Sequence, residues 1–206
     1  MNQPSIVSPT ARGPADHDIR NQIVAAANEH FSQYGYAKTT VSDLAKAIGF
    51  SKAYIYKFFD SKQAIGEAIC TNCLTQIVAA VEMSINGETL SATERFRRLV
   101  KTVIATAVDL FFNDRKLYDI AAFSASERWP SSLVYDAQIK QFILQIVRDG
   151  REAGEFERKT PLDETVDAIH LTLRPFVNPL LLQYNLDFIE DAPALTCNLI
   201  LRSLMP

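Results

Sequence analysis

Residues 31–65 read FSQYGYAKTTVSDLAKAIGFSKAYIYKFFDSKQAI, and this stretch decides the fold. Thr40 stands three residues before Asp43 and just ahead of an apolar run, the acidic form of an N-terminal capping box. Val41, Leu44, Ala45 and Ile48 recur at helical spacing, so a short helix has one apolar face and carries Ser42, Asp43, Lys46 and Ala47 largely on the other. Gly49 follows the last periodic residue, where a left-handed backbone costs glycine little, and Ser51 offers a hydroxyl to cap a second helix near Lys52. That helix buries Ile55, Phe58 and Phe59 and turns Lys52, Ala53, Tyr54, Tyr56 and Lys57 outward. Asp60 or Ser61 then caps a third, longer helix with Lys62 in its first turn, against the usual preference for acids there. A bound phosphate would resolve that mismatch.

Two short helices joined by a tight turn suit the major groove, which admits one helix while lysines, hydroxyls and helix N-termini hold the sugar-phosphate backbone. Between Lys38 and Lys62 five lysines face only Asp43 and Asp60, a local charge of +3 in a chain whose total is −3. The segment points to DNA.

The stretch resembles the N-terminal DNA-binding domain of the TetR family of bacterial transcriptional regulators. Phe31, Gly35, Thr39, Thr40, Leu44-Ala45, Gly49, Ser51, Tyr56, Phe59, Ser61 and Lys62 match that pattern in order, across roughly residues 19 to 65. The resemblance implies that Thr40, Ser51, Tyr56 and Lys62 contact phosphates and that Lys52, Ala53, Tyr54 and Lys57 lie at or near the bases. Ala53 stands where the family often has glycine or another small residue, which keeps a close approach to DNA and says little about sequence preference.

Outward from this stretch, Ile19, Ile23, Ala27, Phe31 and Tyr34 repeat at spacings of three and four behind a cap at Asp16 or Asp18, and Gly35 closes the helix. The sequence before it, MNQPSIVSPTARGP, has three prolines and no apolar core, and residues 1–15 read as a disordered tail without an export signal. Residues 16–62 form the helix-turn-helix domain, and 63–206 a second, larger one. A long helix from Ser61 to about Ile85 links them, Asn86-Gly87 breaks it, and stretches near 92–113, 115–127, 132–153, 162–185 and 188–204 follow. No window alternates with strand period, so the fold is all-α with about nine helices. No run reaches roughly 18 uncharged apolar residues, the length a bilayer needs. A soluble, cytoplasmic protein is expected.

Charge divides with the domains: 1–62 carry seven Lys/Arg and five Asp/Glu, 63–206 fourteen and nineteen. An acidic second domain is not drawn to DNA. Its aromatics are spread over four helices, and bundles of this kind can enclose a ligand. The resemblance implies a small, largely apolar effector there, with Phe111, Tyr118, Phe123, Trp129 and Phe142 as pocket candidates. His170 and Arg174 stand four apart on an otherwise apolar helix and join that set. Pro175 and Pro179 predict a kink or break in the same helix. Val177, Leu180, Leu181, Leu182, Leu195, Leu199, Ile200, Leu201 and Leu204 are more apolar surface than one small domain hides. The resemblance implies a homodimer built through the last two helices, on a palindromic site.

Cys70, Cys73 and Cys197 are too few for a disulfide framework, and Cys70-x-x-Cys73 lacks the second pair or histidine cluster a zinc site needs. Buried thiols fit better than a redox sensor. Neither a metal nor a cofactor is expected. The chain lacks a nucleophile elbow, P-loop, dinucleotide glycine pattern and H-E-x-x-H, which argues against an enzyme. Repression by a ligand-controlled regulator is the leading expectation. A DNA-binding scaffold or nucleoid-associated protein of the same fold, without ligand control, is the alternative.

Overall fold

The computed structural model describes residues 14–206 except 88 and 114; residues 1–13 of the expected tail lie outside the described residues. Ten α-helices follow in order: α1 Pro14–Tyr34, α2 Val41–Ile48, α3 Lys52–Ile55, α4 Lys62–Ile85, α5 Ala92–Val108, α6 Arg115–Ser126, α7 Pro130–Glu152, α8 Leu162–Val177, α9 Pro179–Leu182 and α10 Ala192–Ser203. Among the described residues there is no strand.

α1 and α2 end where their sequence says, whereas α3 stops at Ile55, ahead of Phe58 and Phe59, which the sequence placed on it. Thr40 and Asp43 form both arms of the capping box, and Gly49 closes α2 at φ 76°. Gly35 likewise carries φ 81° after α1. The apolar faces meet at Ile23, Ala27, Phe31, Leu44, Ile55 and Phe59, all buried.

Helix α4 leaves this domain and runs through the second, packing on α5 and α7. By length and composition it is apolar enough to cross a membrane, but it is half buried by its own fold and reads as a core helix. Around it, Phe96, Leu99, Phe111, Ile139, Ile143 and Ile146 are fully enclosed. α5 does not continue regularly to residue 113 as the periodicity predicts. It passes into a π turn, Asp109–Asn113, that buries Phe111.

The expected break after α8 occurs at Asn178, not at Pro175, which sits inside the helix. Proline at 179 holds Asn178 in an extended backbone (φ −88°, ψ 121°), and the Asn178 carboxamide accepts from the amides of Leu180 and Leu181 to start α9. This added short helix, with a 3-10 stretch at Gln183–Phe188, delays the last helix to Ala192. Cys70 and Cys73 are both buried in α4, and burial pushes the Cys70 thiol up to about 12, which keeps it protonated and unreactive.

Candidate nucleic-acid interface and its junction with the second domain

The turn from α2 to α3 presents a small polar surface. Ser51, Lys52, Ala53, Tyr56 and Lys57 are exposed, as is Thr40 at the start of α2. The Ser51 hydroxyl accepts from the Tyr54 amide at 3.1 Å, and its own proton remains available to an acceptor. Thr40 is more committed. Its hydroxyl donates to Asp43 Oδ2 at 2.6 Å and accepts from the Asp43 amide at 3.2 Å, so the phosphate expected there has the Thr40 proton only in competition with Asp43. Those bonds from Thr40 hold the Asp43 carboxyl below its ordinary range.

Tyr54 is half-buried, whereas the sequence pattern turned it outward. Its ring lies edge-on between Phe50 and Phe58, with centroids at 5.0 and 5.3 Å. Lys57 covers the ring at 5.5 Å, and Lys52 covers the Tyr56 ring at 5.8 Å. The two tyrosines therefore shelve the lysines beside α3.

Lys62, expected at a phosphate, is also tied into the protein. Its ammonium donates to the carbonyls of Tyr36 at 3.0 Å and Thr39 at 3.1 Å and sits 4.3 Å from the centre of the Tyr36 ring. Partial burial lowers its pKa. The mismatch of a cation at a helix N-terminus is thus met by protein carbonyls, and Ser61 supplies the cap by accepting from Ala64 at 3.0 Å. Replacing Lys62 by alanine is expected to lower stability by about 2 kcal/mol, the scale for hydrogen bonds to a charged donor. In a melting curve that is a fall of about 4–8 °C. The salt dependence of DNA binding is expected not to change. A slope reduced by about one would put Lys62 back on a phosphate.

Sequence reading missed Arg20. From α1 it donates Nη1 to the Phe58 carbonyl at 2.7 Å and stacks 4.1 Å from the Phe59 ring centre, fixing the chain just after α3. A bond across 38 residues leaves no local signal.

Tyr36 was missed too. This first-domain residue is 5% exposed because its ring is inserted into the second domain. Phe123 of α6 lies 5.1 Å away and Trp129, which precedes α7, 5.4 Å, with Phe31 of α1 closing the cluster at 5.1 Å. Gly66 of α4 is needed beneath it, since a Cβ there would stand 2.8 Å from the Trp129 ring. Glu67, next along, accepts from the Ser131 amide at 3.1 Å and so caps α7, whose N-cap Trp129 has no capping side chain.

The structure does not bring the seven effector candidates around one hollow: Arg174 lines one and Phe123 another. Phe111 is fully enclosed in the core, while Phe123 and Trp129 serve the interdomain cluster. Tyr118 is half-buried against Phe112 at 5.2 Å, and Phe142 is half-buried on α7. His170 donates Nε2 to Asp136 Oδ1 at 3.1 Å, joining α8 to α7 and holding the Asp136 carboxyl below its ordinary range. Arg174 is exposed at the rim of a hollow of about 100 Å³ that also touches Tyr135 and Asp136. Periodicity marked these side chains as inward-facing without saying which neighbours they meet. Among the described residues, no group of three His, Cys, Asp or Glu could hold a metal ion.

The family model for bacterial regulatory proteins of the tetR family matches residues 23–69, the segment just described, and the model for the Tetracyclin repressor-like C-terminal domain matches residues 92–193. The chain belongs to the TetR family. TetR-family members are DNA-binding transcriptional regulators and not enzymes. The biofilm operon icaADBC negative transcriptional regulator IcaR of Staphylococcus aureus is 29% identical over 85 residues, 41% of this chain. The match spans 46% of that relative's length, less than half. Two solved TetR-like structures have the same fold at 20% identity. The fatty acid degradation regulator FadR of Bacillus halodurans aligns with TM-score 0.68 over 93% of this chain and 97% of its own. FadR of Bacillus subtilis, in complex with stearoyl-CoA, aligns with TM-score 0.67 over 89% and 98%.

Proposed function

We propose that this TetR-family chain is a cytoplasmic repressor that binds a palindromic operator as a homodimer and is released by a small, largely apolar effector. The observation that carries this reading is the pairing of two surfaces in one chain. An exposed turn between α2 and α3 is held at its flanks, by Lys62 on the carbonyls before α2 and by Arg20 on the Phe58 carbonyl after α3, and exposed leucines, Leu171 on α8 and Leu195 and Leu199 on α10, offer a second copy an apolar face. In this reading Ser51 and Tyr56 hold phosphates while Lys52, Ala53, Tyr54 and Lys57 meet the bases. Negative control in IcaR supports the sign, and the Bacillus subtilis FadR in complex with stearoyl-CoA supports control by a ligand.

Control requires that effector and DNA prefer different spacings of the two recognition helices, and linkage makes each weaken the other equally. A 100-fold shift in operator affinity needs about 2.8 kcal/mol of coupling. Selection from a randomised duplex pool at near-physiological salt tests the reading. Enrichment of a palindrome bound by two chains is the expected result; a folded dimer that enriches nothing would favour the scaffold or nucleoid alternative.

A further inference from the structure

A groove of about 660 Å³ lies between α5 and α10, within the roughly 300–1,000 Å³ usual for small-molecule sites. None of the seven effector candidates lines it. Its walls are Val100, Ile104 and Val108 from one side and Ile189, Pro193 and Cys197 from the other. Arg97 and Lys101 stand one turn apart on α5 at one end, and Asp109 and Glu190 close the other. Arg97 donates to Asn198 at 2.7 Å, which joins the cationic end of α5 to the Cys197 end of α10. Among the described residues no carboxylate pairs with Arg97 or Lys101. Leu195 and Leu199 lie two residues on either side of Cys197, about 200° around the helix, so the leucine face is turned away from the groove.

An apolar trough with cations at one end and acids at the other selects both a ligand class and its direction. We propose that this groove binds an anionic amphiphile, a monomeric medium-chain carboxylate whose headgroup pairs with Arg97 and Lys101 and whose tail runs along Val100, Ile104 and Val108. From Arg97 to Val108 the helix rises about 16 Å, room for a tail of medium length. Glu190 repels the headgroup from the far end. The inference rests on the effector-controlled reading above and gives that effector a place and a charge.

Calorimetric titration of the full chain tests it, with dodecanoate below its micelle concentration as the probe and dodecyltrimethylammonium as a chain-matched control of opposite charge. Dodecanoate is expected to bind at least tenfold more tightly than the control. The double variant Arg97→Glu/Lys101→Glu, at two exposed positions, is expected to reverse that order, and Ala194→Trp to abolish binding of both with the circular dichroism spectrum and dimer unchanged. Equal binding of the two probes, no heat from dodecanoate, or indifference to charge reversal would overturn the proposal. So would an Ala194→Trp chain that no longer dimerises, since the groove would then belong to a second copy. Operator release is read on the same samples. Binding without release supports the site and removes only effector control, while absence of DNA binding strikes the regulator reading and leaves the titration to decide the site.

Discussion

Tyr36→Ala is expected to lower stability by about 3–5 kcal/mol, the range for truncating a large buried aromatic to alanine. In a chain of this size that is a fall in Tm of about 6–20 °C. The magnitude follows from position: the ring touches Phe31 in its own domain and Phe123 and Trp129 in the other, all within 5.4 Å between centroids. Removing it leaves a void at the seam and deprives the Lys62 ammonium of the ring beneath it. The melt is therefore expected to divide, with the helix-turn-helix domain unfolding ahead of the rest, as independent domains do. Effector response is expected to weaken more than basal DNA affinity. Tyr36→Phe keeps the three ring contacts and serves as the control. A single transition within 3 °C of the wild-type chain would remove Tyr36 from the connection between domains.

The second large effect is expected from Leu195→Glu combined with Leu199→Glu. Both side chains are about two-thirds exposed, at 67% and 66%, so the isolated chain should fold as before. Burying a leucine is worth about 1.5–3 kcal/mol, and two per chain on a two-fold interface make at least about 6 kcal/mol. That corresponds to a loss of more than 10,000-fold in dimer affinity. Sedimentation is expected to show a monomer, and a gel-shift assay a loss of tight binding to the full palindrome. A dimer that persists at micromolar concentration would move the interface off α10.

The local parts of the fold were legible because each is decided within four or five residues. Thr40 with Asp43, Gly49 and Ser51 announced a turn between helices, and all three positions carry the expected cap or left-handed backbone. Phe58 and Phe59 were correctly read as buried from spacing alone. Pro179 announced a break, although the preceding Asn178, which sets the new helix, was not singled out. What spacing could not show is which buried groups share a neighbourhood. Phe123 and Trp129 read as ligand-pocket aromatics, yet their partner Tyr36 is more than eighty residues away in the chain. Arg20 and Lys62 likewise bond to carbonyls 38 and 26 residues distant, and a carbonyl has no sequence signature. The groove between α5 and α10 went unseen for the opposite reason. Its wall residues look like ordinary core on each helix, and only the incomplete closure of the two helices makes a space.

The grip of Lys62 on the carbonyls of Tyr36 and Thr39 has a mechanical consequence. Those atoms end the segment that leads directly into Thr40 and α2, so the first turn of α4 and the start of the reading head are tied at one point with no slack between them. A helix of 24 residues is about 36 Å long. Pivoted at its distant end, it needs a tilt of only about 5° to carry that tied point through about 3 Å, close to the 3.4 Å step between successive base pairs. In the proposed dimer, a tilt of that size at the head of α4 is enough to put the two recognition helices out of step with the DNA.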